Sequence, residues 1–397
     1  MDRETRKPAR QSKRKRNAGQ ASSKLLLDDQ LDWCQPIYAD APVAPLDDDS
    51  IQAIHDASMA VLEDIGVLFL NDAALTVFER HGCDVDWDSK RVRMDRAFVM
   101  AQVAKAPSTI TVTPRNPDRA LIFGGRYFNF GQVASPPNVM DLDQGRRIGT
   151  RADFQNFLKL AQAYNCIHFN CGYAVEPMDM HPSIRHLDGL FDMLTLTDKV
   201  VHAYALGTER IEDAMEMVRI AAGLTHEEFE DKPRMFTNIN STSPLKHDWP
   251  MLDGAMRMAA RNQMVVVSPF TLAGAMAPVT LAGALALQNA EGLAAIALLQ
   301  AVRAGAPVIY GAFTSNVDMK TGAPAFGTPE FVRAMQISGQ LARYYGLPLR
   351  ASNANASNAL DAQAVWESAF SLQGSCSGGA NLIYHAAGWM EGGLSAS

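Results

Sequence analysis

Cysteine is scarce and scattered. The 397 residues hold only Cys34, Cys83, Cys166, Cys171 and Cys376, with no CxxC pair among them. That excludes a disulfide framework and a cysteine-based zinc site, and points to reduced thiols in a cytoplasmic protein. HExxH is also missing. His181 and His186 stand five apart with no acidic partner at ligand spacing, so no metal centre is expected. Neither Gly124-Gly125 nor Gly378-Gly379 belongs to a GxGxxG fingerprint, which removes a dinucleotide site. No apolar run reaches membrane-spanning length unbroken. The nearest, 265–287, is interrupted by Pro269 and Pro278 and reads as strand, loop and helix start, so no membrane partner is expected. The first 24 residues are basic rather than apolar, unlike a secretory leader.

Those 24 residues carry nine Lys and Arg against Asp2 and Glu4, whereas the whole chain has a net charge of −7. No aromatic residue interrupts the basic run, so it reads as a solvated tail and not as a nucleic-acid reader. Hydrophobic residues make up 47% of the chain, enough for a large core and a smaller second unit.

The pattern divides the chain into three segments. Residues 1–45 read as a disordered basic tail and linker. Residues 46–125 form an N-terminal α+β lobe. Within it, Asp47 to Ser50 offer caps for a helix that Gly66 ends, a second helix covers 71–81, and a hairpin joins 85–87 to 91–94. A helix over 98–104 and strands over 109–113 and 120–123 complete this lobe, which is expected to pack on or cover one end of the larger C-terminal unit. From 126 to 397, eight strand-like runs recur: 127–130, 167–171, 200–204, 235–240, 264–268, 307–311, 348–351 and 381–384. Helical stretches over 151–164, 184–195, 209–222, 250–261, 280–304, 329–345 and 361–376 separate them. This is the pattern of an α/β TIM (β/α)₈ barrel, with chemistry at the strand C-termini. Only 386–397 remain after the eighth strand, so the last barrel helix is expected to be missing and the barrel incomplete at the C-terminus.

Several loops are distinctive. They include Asn240-Ser-Thr-Ser-Pro-Leu245, Pro269-Phe-Thr-Leu-Ala-Gly-Ala-Met-Ala-Pro-Val-Thr280 and Tyr310-Gly-Ala-Phe313. Asp361-Ala-Gln-Ala-Val-Trp-Glu367 and Gly378-Gly-Ala-Asn-Leu-Ile-Tyr-His-Ala-Ala-Gly-Trp-Met-Glu-Gly-Gly-Leu394 extend the set. Together they resemble the trimethylamine methyltransferase family (MttB-like) from about residue 45 to the end. The resemblance implies a TIM barrel that moves a methyl group from a methylated amine to the cobalt of a corrinoid (cobalamin) supplied by a partner protein. No cofactor would be bound covalently. Archaeal trimethylamine members carry pyrrolysine, whereas this chain has only standard residues. That implies the non-pyrrolysine branch, which includes enzymes acting on quaternary amines such as glycine betaine.

Displacing a methyl from a quaternary ammonium requires no prior deprotonation. The protein must hold the cation, aim one methyl and exclude water. Aromatic faces suit the cation, and Phe130, Tyr173, Phe270, Tyr310, Phe313 and Trp389 are candidates at strand ends. Tyr384 is the weakest aromatic candidate, because it can point outward from its strand. A substrate carboxylate would need donors, for which His202, His385, Asn238, Asn240 and the Gly378–Gly379 backbone are candidates. Asn353 and Asn355 lie in a polar loop facing the expected barrel mouth. His385 and Glu391, just past the last strand, are the candidates for catalytic roles. A homo-oligomer is expected. Two other readings stand: a lyase or hydrolase barrel with a His or Glu base, and an inactive truncated copy that still binds a methylamine.

Overall fold

The computed structural model describes residues 30–397, so the basic run within the first 24 residues lies outside the described residues. Residues 30–45 are strapped to the body, contrary to the expectation of a loose linker. The Gln30 amide donates to the Ala163 carbonyl at 2.9 Å, and the Tyr38 hydroxyl donates to the Ala380 carbonyl at 2.6 Å.

Caps written in the sequence start the helices. Asp47 accepts from the Ser50 amide at 2.8 Å and opens Asp48–Ala60; one π turn, Val61–Ile65, then runs into Gly66 at φ +75°. Thr150 and Asp153 form a reciprocal capping box for Arg151–Ala163, with Arg147 on the same carboxylate. Thr328 and Pro329 open Pro329–Tyr344.

Six strands form one parallel sheet in the order Asn129–Phe130, Leu382–Tyr384, Leu349–Ser352, Val308–Gly311, Met264–Val267, Phe236–Ile239. The expected runs at 167–171 and 200–204 are not regular strands. They join by isolated parallel bridges, Gly131 to Phe169, Phe169 to Val200 and His202 to Phe236. The reason is side-chain competition for ladder positions. His168 Nδ1 accepts from the Phe130 amide at 2.9 Å, and His202 Nε2 accepts from the Asn238 amide at 3.1 Å.

The strands alternate faces with period two. Phe236, Met264, Val266, Ile309, Leu382 and Tyr384 share one buried cluster; Val265, Val267, Val308, Tyr310, Leu349, Ala351 and Ile383 belong to the other, which includes the helices. Into the first cluster packs the hairpin Thr109–Val112/Leu121–Gly124, through Ile110, Val112, Leu121 and Phe123. The Thr113 amide donates to the Pro233 carbonyl, just before the 236–239 strand begins, so this hairpin sits at the end where strands start. The three lobe helices lie instead along Leu281–Val302. That helix is long and apolar enough to cross a membrane, but 83% of its apolar window is buried inside the protein. Its all-round apolarity is that of a core helix packed on several sides.

Two features escaped the sequence pattern. Phe270–Ala273 pairs in parallel with Phe313–Asn316 beyond the main sheet. After Tyr384 the described chain continues in the short strands Trp389–Met390 and Ser395–Ala396, which join the hairpin Asn138–Asp141/Gly145–Ile148.

Candidate functional site

At the C-terminal ends of the sheet strands lies a cavity of about 350 Å³, within the range of about 300–1,000 Å³ usual for small-molecule sites. Its polar and aromatic lining is Ser135, His202, Tyr204, Asn238, Asn240, Phe313, Arg350, Tyr384, His385 and Trp389, and no Asp or Glu lines it. Four buried polar atoms of this lining have no hydrogen-bond partner: His202 Nδ1, Asn238 Oδ1, Arg350 Nε and Tyr384 Oη. Buried polar groups are normally satisfied, so a cluster of orphans around one cavity marks a place where a ligand completes the set.

The tautomers follow from the backbone. Because the Asn238 amide donates to His202 Nε2, a neutral His202 carries its proton on Nδ1, the orphaned atom. The Ala134 amide donates to His385 Nδ1 at 3.1 Å, so His385 carries its proton on Nε2. Burial holds both rings neutral: His202 is pushed down to about 3, and His385 falls well below the ordinary imidazole value, helped by the Arg350 charge. His385 sits in the left-handed region at φ +56° and stacks on Trp389 at 5.1 Å. A non-glycine residue held there is strained, and such strain gathers at functional sites.

Arg350 is the one charged residue of the lining. It is 4% exposed. Its guanidinium lies 5.0 Å from the Phe313 ring and 4.7 Å from the Tyr384 ring, and Nη1 donates to the Ala312 carbonyl at 3.1 Å. Among the described residues it has no acidic partner. Burial pulls it down to about 10, so it stays charged at neutral pH.

Six of the expected site residues meet here: His202, Asn238, Asn240, Phe313, His385 and Trp389. The others lie elsewhere. Tyr310 is on the helix-facing side of its strand and donates to Asn289 at 3.0 Å. Phe270 packs behind Phe313, 5.1 Å from it and outside the lining. Phe130 stacks on His168. Tyr173 lines a neighbouring pocket of about 180 Å³ with Glu176, Arg185 and Arg210, and its hydroxyl donates to the Arg185 carbonyl. Asn353 and Asn355 lie outside the lining, Asn353 donating to the Ala386 carbonyl at 3.5 Å and Asn355 to Ser368 Oγ, on the helix Ala362–Ser377, at 3.0 Å. Glu391 accepts from Arg146 at 2.9 Å and does not line the cavity, because the Trp389–Met390 strand turns it toward the 145–148 hairpin. Tyr384, the weakest aromatic candidate, faces in and lines the cavity. Arg350 was passed over, although a lone arginine in the apolar strand 348–351 is the signal that could have found it.

Residues 6–397 match the family described as trimethylamine methyltransferase (MTTB). The chain is 38% identical to a glycine betaine methyltransferase of Desulfitobacterium hafniense, covering 87% of this chain and 72% of that protein. It is 27% identical to a proline betaine:corrinoid methyltransferase of Eubacterium limosum, covering 79% and 66%. Among solved structures it resembles the Methanosarcina barkeri monomethylamine methyltransferase, with a TM-score of 0.61 at 10% identity over 89% of this chain and 71% of that one.

Proposed function

The chain belongs to the trimethylamine methyltransferase family, and on that premise we propose that it transfers a methyl group from a quaternary or tertiary methylated amine to the Co(I) of a corrinoid carried by a separate protein. The corrinoid is the second substrate, presented over the cavity mouth. The isolated bridges at Phe169 and His202 support reading the sheet as an eight-stranded barrel closed by two irregular strands, with this cavity at its C-terminal end.

The observation that carries the reading is the cavity's chemistry: aromatic faces, neutral imidazoles and no carboxylate. With His202 at about 3 and His385 well below its ordinary value, neither serves as a base at neutral pH. Glu391, engaged by Arg146, lies outside the lining. A lyase or hydrolase would need such a base, and a methyl displacement does not. In the displacement, the cobalt electron pair forms the new bond to the methyl carbon, the C–N pair stays on nitrogen, and a neutral amine leaves. The protein's part is to orient the donor, exclude water and keep the methyl facing the acceptor. Arg350 already occupies faces of Phe313 and Tyr384, which leaves Tyr204 and Trp389, the latter stacked on the neutral His385, as the lining rings that hold no cation and are assigned to the substrate.

Incubation with Co(I)-cobalamin and glycine betaine, choline or trimethylamine, followed by absorbance, tests this reading. Methylcobalamin is expected with at least one donor, and its absence with all of them from folded protein would contradict the reading. Trp389→Leu and Tyr204→Leu are each expected to raise the donor KM about 2- to 30-fold, the equivalent of one cation–π contact of about 0.5–2 kcal/mol. Tyr204→Phe, which keeps the ring, should stay within about 3-fold of wild type.

A further inference from the structure

The structure assigns the chain a second small-molecule site: the pocket of about 180 Å³ behind Tyr204 takes a short-chain monocarboxylate. The site itself stands apart from the methyl-transfer reading above; only its effect on the donor rests on that reading.

Three observations converge. The first is placement. The pocket lies between the helices Arg185–Leu196 and Thr208–Ala221 and shares His202, Tyr204 and Leu206 with the larger cavity. Tyr204 is the common wall, its hydroxyl 2.9 Å from the Ser135 hydroxyl and accepting from the Tyr173 amide at 3.1 Å.

The second is unmet positive charge. Glu176 is the one carboxylate of the lining, and Arg185 Nη1 donates to it at 3.3 Å. Arg185 Nη2 donates to the Met180 carbonyl at 3.0 Å, while Nε is buried without a partner. The Arg210 side chain has no ion pair or hydrogen bond among the described residues, so one arginine of the lining is left over. His202 is 2% exposed, and its unpartnered Nδ1–H belongs to this pocket as well as to the cavity. Both helices also start here without a side-chain cap, which adds unsatisfied amides at the same end. A carboxylate meets all of these donors, and a guanidinium fork matches its plane.

The third is the order of polar and apolar groups. Arg185 and Arg210 stand in first helical turns, whereas Leu190, Met193 and Ala214 follow in later turns. At about 1.5 Å per residue the apolar wall lies roughly 6–12 Å further along the helices. An anion held by the arginines therefore turns its far side onto that wall, and a hydrocarbon tail fills it where an inorganic oxyanion cannot. The volume is about six times the roughly 30 Å³ share of one water, room for two to four carbons.

A carboxylate bound here puts a negative charge one ring away from the cavity, in which Arg350 is the one charged residue. It attracts a donor cation lying on the other face of Tyr204, so the filled site lowers the donor KM by about 3- to 10-fold.

Sodium acetate, propionate, butyrate and sulfate are titrated into the whole chain in chloride-free buffer and followed by calorimetry. Propionate is expected to bind with a Kd of about 0.1–5 mM, each methylene from acetate to butyrate tightening binding about 2- to 4-fold. Arg210→Gln is expected to weaken propionate at least about 10-fold. Ala214→Leu fills the apolar end and should weaken butyrate more than acetate. In the methylcobalamin assay, saturating propionate should lower the donor KM of wild type and leave that of Arg210→Gln unchanged. Circular dichroism checks that each variant is folded. No saturable binding by wild type up to about 50 mM, or binding unaltered in both variants, would overturn the site. Sulfate binding as tightly as propionate, with no effect of chain length, would overturn the carboxylate assignment. Propionate binding that leaves the donor KM of an active wild type unmoved would overturn the coupling. Absence of methyl transfer with every donor would sink the methyl-transfer reading, and the titrations would still decide the site.

Discussion

Replacing Glu291 with leucine is expected to lower the free energy of unfolding by about 2–4 kcal/mol, the cost of taking a buried acceptor from hydrogen-bond donors that have little else to bond. Glu291 lies in the middle of Leu281–Val302 and is fully buried. Its Oε1 accepts from the Leu245 amide at 2.6 Å, and its Oε2 accepts from Ser243 Oγ at 2.6 Å and from Ser241 Oγ. Burial raises this carboxyl above the usual range, and those three hydrogen bonds oppose the rise. Leucine keeps the volume and the helix propensity but takes the acceptor from the Leu245 amide and from the Ser241 and Ser243 hydroxyls, which lie 3.1 Å apart and can satisfy only one of each other's hydrogens; each donor left unpaired costs about 1–3 kcal/mol. The consequence reaches the site. Residues 241–245 come directly after Asn240, whose amide donates to the Ser268 carbonyl at 2.9 Å and accepts from Asn238 at 3.0 Å. A released loop therefore loosens the asparagine pair on the cavity wall and lowers activity in the folded fraction. Urea unfolding checks the first effect through its midpoint. A change below about 1 kcal/mol would mean that the carboxylate does not anchor this loop.

The second large effect is acid lability well above the carboxylate range. Four histidines are held neutral by burial: His168 and His247 at about 4, His202 at about 3 and His385 well below its ordinary value. In the unfolded chain each titrates near 6.5. Below that pH the unfolded state takes up protons that the folded state refuses, so stability rises with pH and is fully present above about 7.5. It falls as pH drops through 6.5 toward the folded values, and by pH 5.5 His168, His202 and His247 have each removed roughly 1 kcal/mol, with His385 acting in the same direction. Glu176 and Glu291, raised by burial, act in the opposite sense, whereas His55, also lowered by burial, acts with the four. Asp153, lowered first by Arg147, contributes loss only at still lower pH. The urea midpoint should therefore fall steeply between pH 7 and 5.5, and His202→Gln should flatten that slope by about one proton. A midpoint constant over this interval would show that these rings are protonated in the folded state.

The sequence exposed the frame more fully than the site. Helix starts were legible because their chemistry is local: Asp47 before Ser50, Thr150 with Asp153, Thr328 before Pro329. The strand positions were legible from apolar runs, but which residue faces the cavity depended on phase. Tyr310 and Arg350 show this. Tyr310 sits among outward positions with Val308, whereas Ile309 belongs to the inward cluster. In the next strand Leu349 and Ala351 face outward, so Arg350 must face inward. Alternation alone gives each strand two possible phases, and the packing of the two clusters selects the one that excludes Tyr310 and brings in Arg350. Two strand positions were less legible, because His168 and His202 take up hydrogen bonds that a regular ladder would make. Glu391 was not legible either. Its place depends on how Trp389–Met390 folds back toward the distant 145–148 hairpin, a non-local pairing with no signal in the loop itself.

The most direct test is the product balance of a single turnover. Purified protein, Co(I)-cobalamin and glycine betaine carrying a labelled methyl are mixed, and the demethylated amine and labelled methylcobalamin are quantified together. Methyl displacement predicts the two products in equal amounts, with none formed when Co(I) is left out. Demethylation without Co(I), or label appearing as methanol or formaldehyde instead of methylcobalamin, would contradict it.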